Sequence, residues 1–167
     1  VDATFGAGGY SQAILEAAEC TVWGIDRDPE AQDRATDLIN RFPGRLSVLQ
    51  GCYGDMAELL EKAGVGPVDG IAFDLGVSSM QLDDASRGFS FRANGPLDMR
   101  MSKDGMSAAD VVNGLPEKEL ADIIYKYGEE RASRSIAKTI IEVRAEKPIT
   151  RTAELARLIR GVVKKSK

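Results

Sequence analysis

Histidine is absent from this 167-residue chain. Its absence excludes Ser-His-Asp and Cys-His nucleophilic catalysis within the stretch, and any metal held by imidazole. Cysteine is scarce: Cys20 and Cys52 supply neither a disulfide framework nor a metal cluster, and they read as reduced packing residues of a cytoplasmic protein. No apolar run is long enough to span a membrane. No signal peptide is visible, yet the chain opens on Val1 inside a strand-like run, so the expectation is that the natural N-terminus lies upstream. With 43% hydrophobic residues the chain has ample material for a buried core, and its length fits one domain or a core with a modest insertion.

Positive charge is sparse until late in the chain. Residues 1–124 hold 10 Lys/Arg against 21 Asp/Glu, whereas residues 125–167 hold 12 against 5, within an overall charge of −4. The basic set includes Lys126, Arg131, Arg134 and Lys138 and, at the end, Lys164, Lys165 and Lys167. Such asymmetry suggests an acidic cofactor-binding half joined to a basic surface for phosphates, the alternative being a solvated helical face.

The opening run, Asp2-Ala-Thr-Phe-Gly6-Ala-Gly8-Gly9-Tyr10, is the most informative feature. Val1-Asp2-Ala3 reads as a strand end, residues 11–18 as a helix, and Thr21–Ile25 as a second strand closing on Asp26. A glycine turn between strand and helix lets a cofactor approach the backbone at a helix N-terminus. Asp26 is spaced to take two ribose hydroxyls. A dinucleotide site asks for G-x-G-x-x-G/A, but the sixth position here is Ser11 and the glycines at 8 and 9 are adjacent. That form suits a nucleoside without a pyrophosphate, such as S-adenosyl-L-methionine.

Asp28 reads as a cap with Pro29 opening a helix to about Arg41, followed by a strand at Leu46–Gln50. Asp55 and Glu58 have capping-box spacing ahead of a helix that Gly64 closes, and Val68–Asp74 reads as a fourth, buried strand. Four strands alternating with helices predict an α/β fold with a doubly wound, mostly parallel sheet. Residues 75–106 form a long loop, and from Ser107 helices are expected at about 107–113, 117–127, 130–146 and 152–163. Their core stripes are Leu120, Ile123, Ile124 and Tyr127, then Ile136, Ile140 and Val143, then Leu155, Leu158, Ile159 and Val162. The division predicted is a partial cofactor-binding core at 1–106 and a partial helical subdomain at 107–167.

Asp74 stands where a parallel strand ends, so its carboxylate can accept from an exocyclic amine or a cofactor ammonium, or cap the next turn. Gln81 is a plausible polar contact beside it. Further on, Arg87, Phe89, Phe91, Arg92 and Arg100 interleave cations with aromatics, a mixture that stacks an extruded base and holds phosphates, or anchors the loop.

The runs DATFGAGGY, GIDRDPEA, FDLGVSSMQLDDASRGFSFRANGPLDMRM, YGEERASRSIAKTI and PITRTAELA resemble the RsmH (MraW) family, from residue 1 to about 165. Its members are S-adenosylmethionine-dependent methyltransferases acting on N4 of a cytidine in small-subunit ribosomal RNA. The resemblance implies a Rossmann-like class I methyltransferase core interrupted by an all-helical insertion. It implies cofactor contacts at Gly8, Gly9, Tyr10, Asp26, Tyr53, Asp74 and Gln81, with Gly6 in the same turn and Asp74 beside the reaction centre. Relatives usually carry His where Tyr10 stands and often Phe where Tyr53 stands, so a role for an imidazole at position 10 is not carried over. The expected partner is ribosomal RNA within the small subunit, with no membrane and no metal. Alternatives are a nicotinamide oxidoreductase, a non-catalytic RNA-binding fragment, and a DNA or protein acceptor. Since further core strands follow the insertion in that family, the chain as given is expected to be inactive alone.

Overall fold

A computed structural model describes residues 1–165; Ser166 and Lys167, and the side chains of Lys164 and Lys165, lie outside the described part. Two compact units are present: Val1–Ser78 with Met101–Lys103, and Ser79–Arg100 with Asp104–Lys167.

The first unit is α/β. Strands β1 (Val22–Asp26) and β2 (Leu46–Gln50) pair in parallel, Val22 opposite Leu46 through Asp26 opposite Gln50. Asp2 bridges in parallel to Gly24 on one side and to Ala72 on the other. Backbone segments therefore lie in the order Ala72, Asp2, β1, β2. Helix α1 (Gly9–Ala17) joins Asp2 to β1, and α2 (Glu30–Arg41) joins β1 to β2, as parallel neighbours require.

Sequence explains these elements locally. Asp28 Oδ1 accepts from the Glu30 amide at 3.1 Å, and Pro29 already has helical dihedrals, so the Asp-Pro pair starts α2. Ala31, Ala35 and Leu38 then bury one face of α2 against Phe5, Leu15, Val22 and Leu46. Full burial of each large apolar side chain contributes about 1.5–3 kcal/mol. Arg45 closes the far end of α1, its Nη2 donating to the Leu15 carbonyl at 2.9 Å and its Nε to Cys20 at 3.0 Å.

Two local expectations fail here. The strand foreseen at Val68–Asp74 is a single bridge at Ala72, so two strands stand where four were expected, and no full doubly wound sheet forms among the described residues. Its backbone pairs on one side only, with Ala72 N donating to Val1 O at 2.8 Å and Ala3 N to Ala72 O at 2.9 Å. Ile71, Phe73, Leu75 and Val77 are correspondingly exposed. The Asp55 cap is not made either. A 3-10 turn at Tyr53–Asp55 leads into α3 (Met56–Lys62), and Glu58 pairs forward with Lys62 instead of back to the helix start.

The second unit is helical: α4 (Ser79–Asp83), a 3-10 turn at Ala85–Arg87, α5 (Ala108–Gly114), α6 (Glu117–Gly128), α7 (Ser133–Glu146) and α8 (Thr152–Lys165). Ser107 and Asp110 form a reciprocal capping box on α5. The core gathers Leu97, Val112, Leu120, Ala121, Ile136, Ala137, Ile140 and Ile149. Tyr127 and Ile123, expected in the core stripe, are exposed. The buried face of α6 runs through Leu120, Ala121 and Ile124; Ile123 points away from it, and Tyr127 falls in the last turn, past the core.

Residues 79–100, which the sequence places with the first half, pack with the helices. Leu97 donates to the Thr150 carbonyl at 3.0 Å and accepts from Ala109 at 2.8 Å, Pro96 bridges Arg151, and Gly95 N donates to Thr152 Oγ1 at 3.0 Å. No helix of the described residues is long and apolar enough to cross a membrane.

Candidate functional site

In the first unit, three parallel segments deliver their carboxyl ends to one edge. Asp2 leads into the turn at 4–9, β1 ends at Asp26, and β2 runs on to Tyr53. Open α/β sheets place ligands at that edge. Gly51 N donates to the Asp26 carbonyl at 2.8 Å, which ties the end of β2 to the end of β1. Asp74, two residues beyond the Ala72 bridge, reaches the same edge, where its amide donates to Thr4 Oγ1 at 2.7 Å.

Asp26 organises the turn. Its Oδ2 accepts from Gly6 N at 2.7 Å and its Oδ1 from Asp28 N at 2.8 Å. Each carboxylate oxygen has a further lone pair, so the half-buried side chain can still accept from a vicinal diol. Gly8 sits at φ +81, and a Cβ there would stand 2.7 Å from the Phe5 ring and 2.9 Å from Leu38. Both the left-handed backbone and the packing of Phe5 therefore demand glycine at position 8. At Gly9, the first residue of α1, a Cβ meets nothing within 4 Å. Tyr10 follows, 54% exposed.

Ser11 has a use that its departure from the dinucleotide pattern did not show. Its buried hydroxyl donates to Asp2 Oδ2 at 2.7 Å, and Thr4 N donates to Asp2 Oδ1 at 3.3 Å. The buried Asp2 carboxylate thus joins the strand end to the first turn of α1. Tyr53 is half-exposed and meets the half-exposed Phe73 edge to face, centroids 5.7 Å apart. Asp2, Thr4, Arg34 and Phe73 are site neighbours that sequence reasoning missed. An aromatic at 73 one residue before Asp74 was the one available signal.

The structure thus brings Gly6, Gly8, Gly9, Tyr10, Asp26, Tyr53 and Asp74 to one edge of the first unit. The other expected site residues belong to the second. Gln81 is buried in α4. Arg87 is buried, donates through Nη2 to the Arg100 carbonyl at 3.2 Å and lies 6.0 Å from the Phe89 ring centroid. Arg100 grips Asp98, with Nη2 to Oδ2 at 2.6 Å and Nε to Oδ1 at 3.1 Å. That guanidinium holds the Asp98 carboxyl below the ordinary carboxylate range, against the opposing push of burial. Hydrogen bonds from Ser107 lower Asp110 likewise. Arg87 and Arg100 are therefore engaged within the loop, whereas Arg92 is exposed and Phe91 is 65% exposed, under the Arg160 guanidinium at 5.3 Å.

Comparison with known proteins bears on this edge. The model of the MraW methylase family matches residues 1–167. The chain belongs to the MraW methylase family. Among curated relatives, "Ribosomal RNA small subunit methyltransferase H" of Rhodospirillum rubrum is 60% identical over 167 residues, covering 100% of this chain and 51% of that protein. Proteins of the same description from Rhodospirillum centenum and Acidiphilium cryptum are 59% and 58% identical, with 100% and 98% of this chain and 51% and 52% of theirs covered. The chain spans about half the length of the curated relatives it matches. Membership of a methylase family disfavours the nicotinamide alternative.

Proposed function

We propose that the protein containing this chain is an S-adenosyl-L-methionine-dependent methyltransferase acting on N4 of a cytidine in small-subunit ribosomal RNA. The observation that carries the reading is the Gly6 amide held on Asp26 at the carboxyl edge of parallel strands, in a member of the MraW methylase family. The residues present fit the cofactor. Asp26 accepts from the ribose hydroxyls, the turn at 6–9 and the uncapped start of α1 receive the amino-acid end, and Tyr53 with Tyr10 lies against the adenine. When bound, the cofactor supplies an electrophilic methyl group on a sulfonium.

Asp74 accepts a hydrogen bond from the exocyclic amine and aims its lone pair, so catalysis rests mainly on proximity and orientation. Phe91, Arg92, Arg134, Lys138, Arg157 and Arg160 meet the RNA, whereas Arg87, Phe89 and Arg100 hold the recognition loop in shape. The sheet of the whole protein is a Rossmann-like class I core with helices inserted, Val1–Ser78 belonging to the core and Ser79–Arg100 grouped with the helical insertion. The setting is cytoplasmic, and the substrate is met within the small subunit. Mass spectrometry of ribosomal RNA from cells lacking the protein tests the reading. Loss of one N4-methylcytidine is expected, and an unchanged complement of methylcytidines would overturn it.

A further inference from the structure

The cofactor turn is held from two sides. Gly6, at φ +55, gives its amide to Asp26 and its carbonyl to Arg34 Nε, at 3.2 Å. Arg34 lies on α2, one turn past Glu30, and is mostly buried, its side chain 20% exposed. Its Nη1 donates to Glu30 Oε2 at 3.3 Å, and its Nη2 pairs at 3.6 Å with Asp28 Oδ2. The Asp28 carboxylate is fully buried, with Oδ1 on the Glu30 amide. Glu30 is itself gripped at its other oxygen by Lys103 Nζ, at 2.5 Å.

One guanidinium thus spends each of its nitrogens on a different group: the turn carbonyl, the α2 carboxylate and the buried carboxylate. A planar fork fixed at three points cannot rotate without breaking one of them. A buried carboxylate facing it anchors the fork more firmly than exposed pairs do. The two peptide groups flanking the Gly6 Cα are consequently each held, the amide on Asp26 and the carbonyl on Arg34, and the left-handed backbone that glycine alone adopts easily is held in one conformation.

We infer that Arg34 is a positioning residue that pre-organises the Gly6 turn and the Asp26 carboxylate for the cofactor. The inference rests on the cofactor assignment proposed above. A lysine at 34 keeps a positive charge opposite Asp28 and Glu30 but cannot reproduce the fork, so the fold is retained while the turn is released.

The test uses the full-length protein and S-adenosylhomocysteine as the probe. Arg34→Lys is expected to melt within a few degrees of wild type, bind the probe at least tenfold more weakly, and turn over near the wild-type rate once cofactor is saturating. Unchanged affinity in R34K would overturn the inference, as would a fall in kcat with the cofactor KM unchanged. Should R34K fail to fold, amide hydrogen exchange on the cofactor-free wild type decides. Gly6 and Gly8 amides as protected as those of α1 support a turn held in advance, and fast exchange that slows only when the probe binds overturns it. Failure of the wild type to bind the probe would instead refute the cofactor assignment, a separate outcome.

Discussion

Asp26 Oδ2 and the Gly6 amide meet at 2.7 Å across 20 residues of chain, so the end of β1 and the glycine turn are one structural unit. Replacing Asp26 with Ala frees the Gly6 and Asp28 amides together and removes the acceptor proposed for a ribose diol. The expected loss in cofactor affinity is about 1.5–3 kcal/mol, the scale of a charge-assisted hydrogen bond. That is a rise in Kd of about tenfold to 150-fold. Calorimetry on the full-length protein checks it, and equal affinity in wild type and D26A would remove Asp26 from the site.

Neighbouring glycines should separate folding from binding. At Gly8 an added methyl meets Phe5 and Leu38 inside 3.0 Å on a left-handed backbone, so Gly8→Ala is expected to destabilise by about 2–4 kcal/mol. At Gly9 the same methyl meets nothing within 4 Å. Gly9→Ala should therefore melt like wild type yet bind the cofactor more weakly, because only the ligand would feel the added carbon. A G9A variant with intact affinity would place the cofactor away from the start of α1.

Much of this arrangement was legible in the chain. Asp28-Pro29 and the Gly6-to-Asp26 spacing are local signals, and local chemistry decides them. The edge segment at 68–74 was not legible as a bridge, because strand character there depends on a second pairing partner that propensity does not report. Asp55 is already part of the 3-10 turn, with φ −101 and ψ 14 rather than the extended dihedrals of a capping residue, so its side chain makes no cap bond. Ser11 gave no sign of its role because its partner Asp2 lies on another element. Arg34 read as an ordinary cation on a helix until the fold placed the Gly6 carbonyl beside it.

Loop stability should depend on pH through Asp98. Its hydrogen bond from Arg100 lowers the folded-state pKa, so the pair stabilises above the unfolded value of about 4 and that contribution is lost as pH falls through the lower, folded value. Arg100→Gln should therefore be less stable than wild type by a constant margin between about pH 7 and pH 5, and the gap should narrow below about pH 4. Denaturant melts of both proteins across that range measure it. A gap that persists undiminished at pH 2 would assign the loss to packing of the Arg100 stem.

We propose methyl transfer to a cytidine amine by a site built on Asp26 and Asp74. Its most direct test incubates full-length protein with methyl-labelled S-adenosylmethionine and small ribosomal subunits, then digests the RNA and locates the label by mass spectrometry. Label on the base of one cytidine, as N4-methylcytidine, is the result expected from wild type. With Asp74→Ala, turnover should fall by at least a hundredfold while the Kd for cofactor changes only a few-fold, since contacts made in the transition state act on rate. Label on a ribose, on another base or on ribosomal protein, or an Asp74→Ala variant with wild-type turnover, would contradict the account.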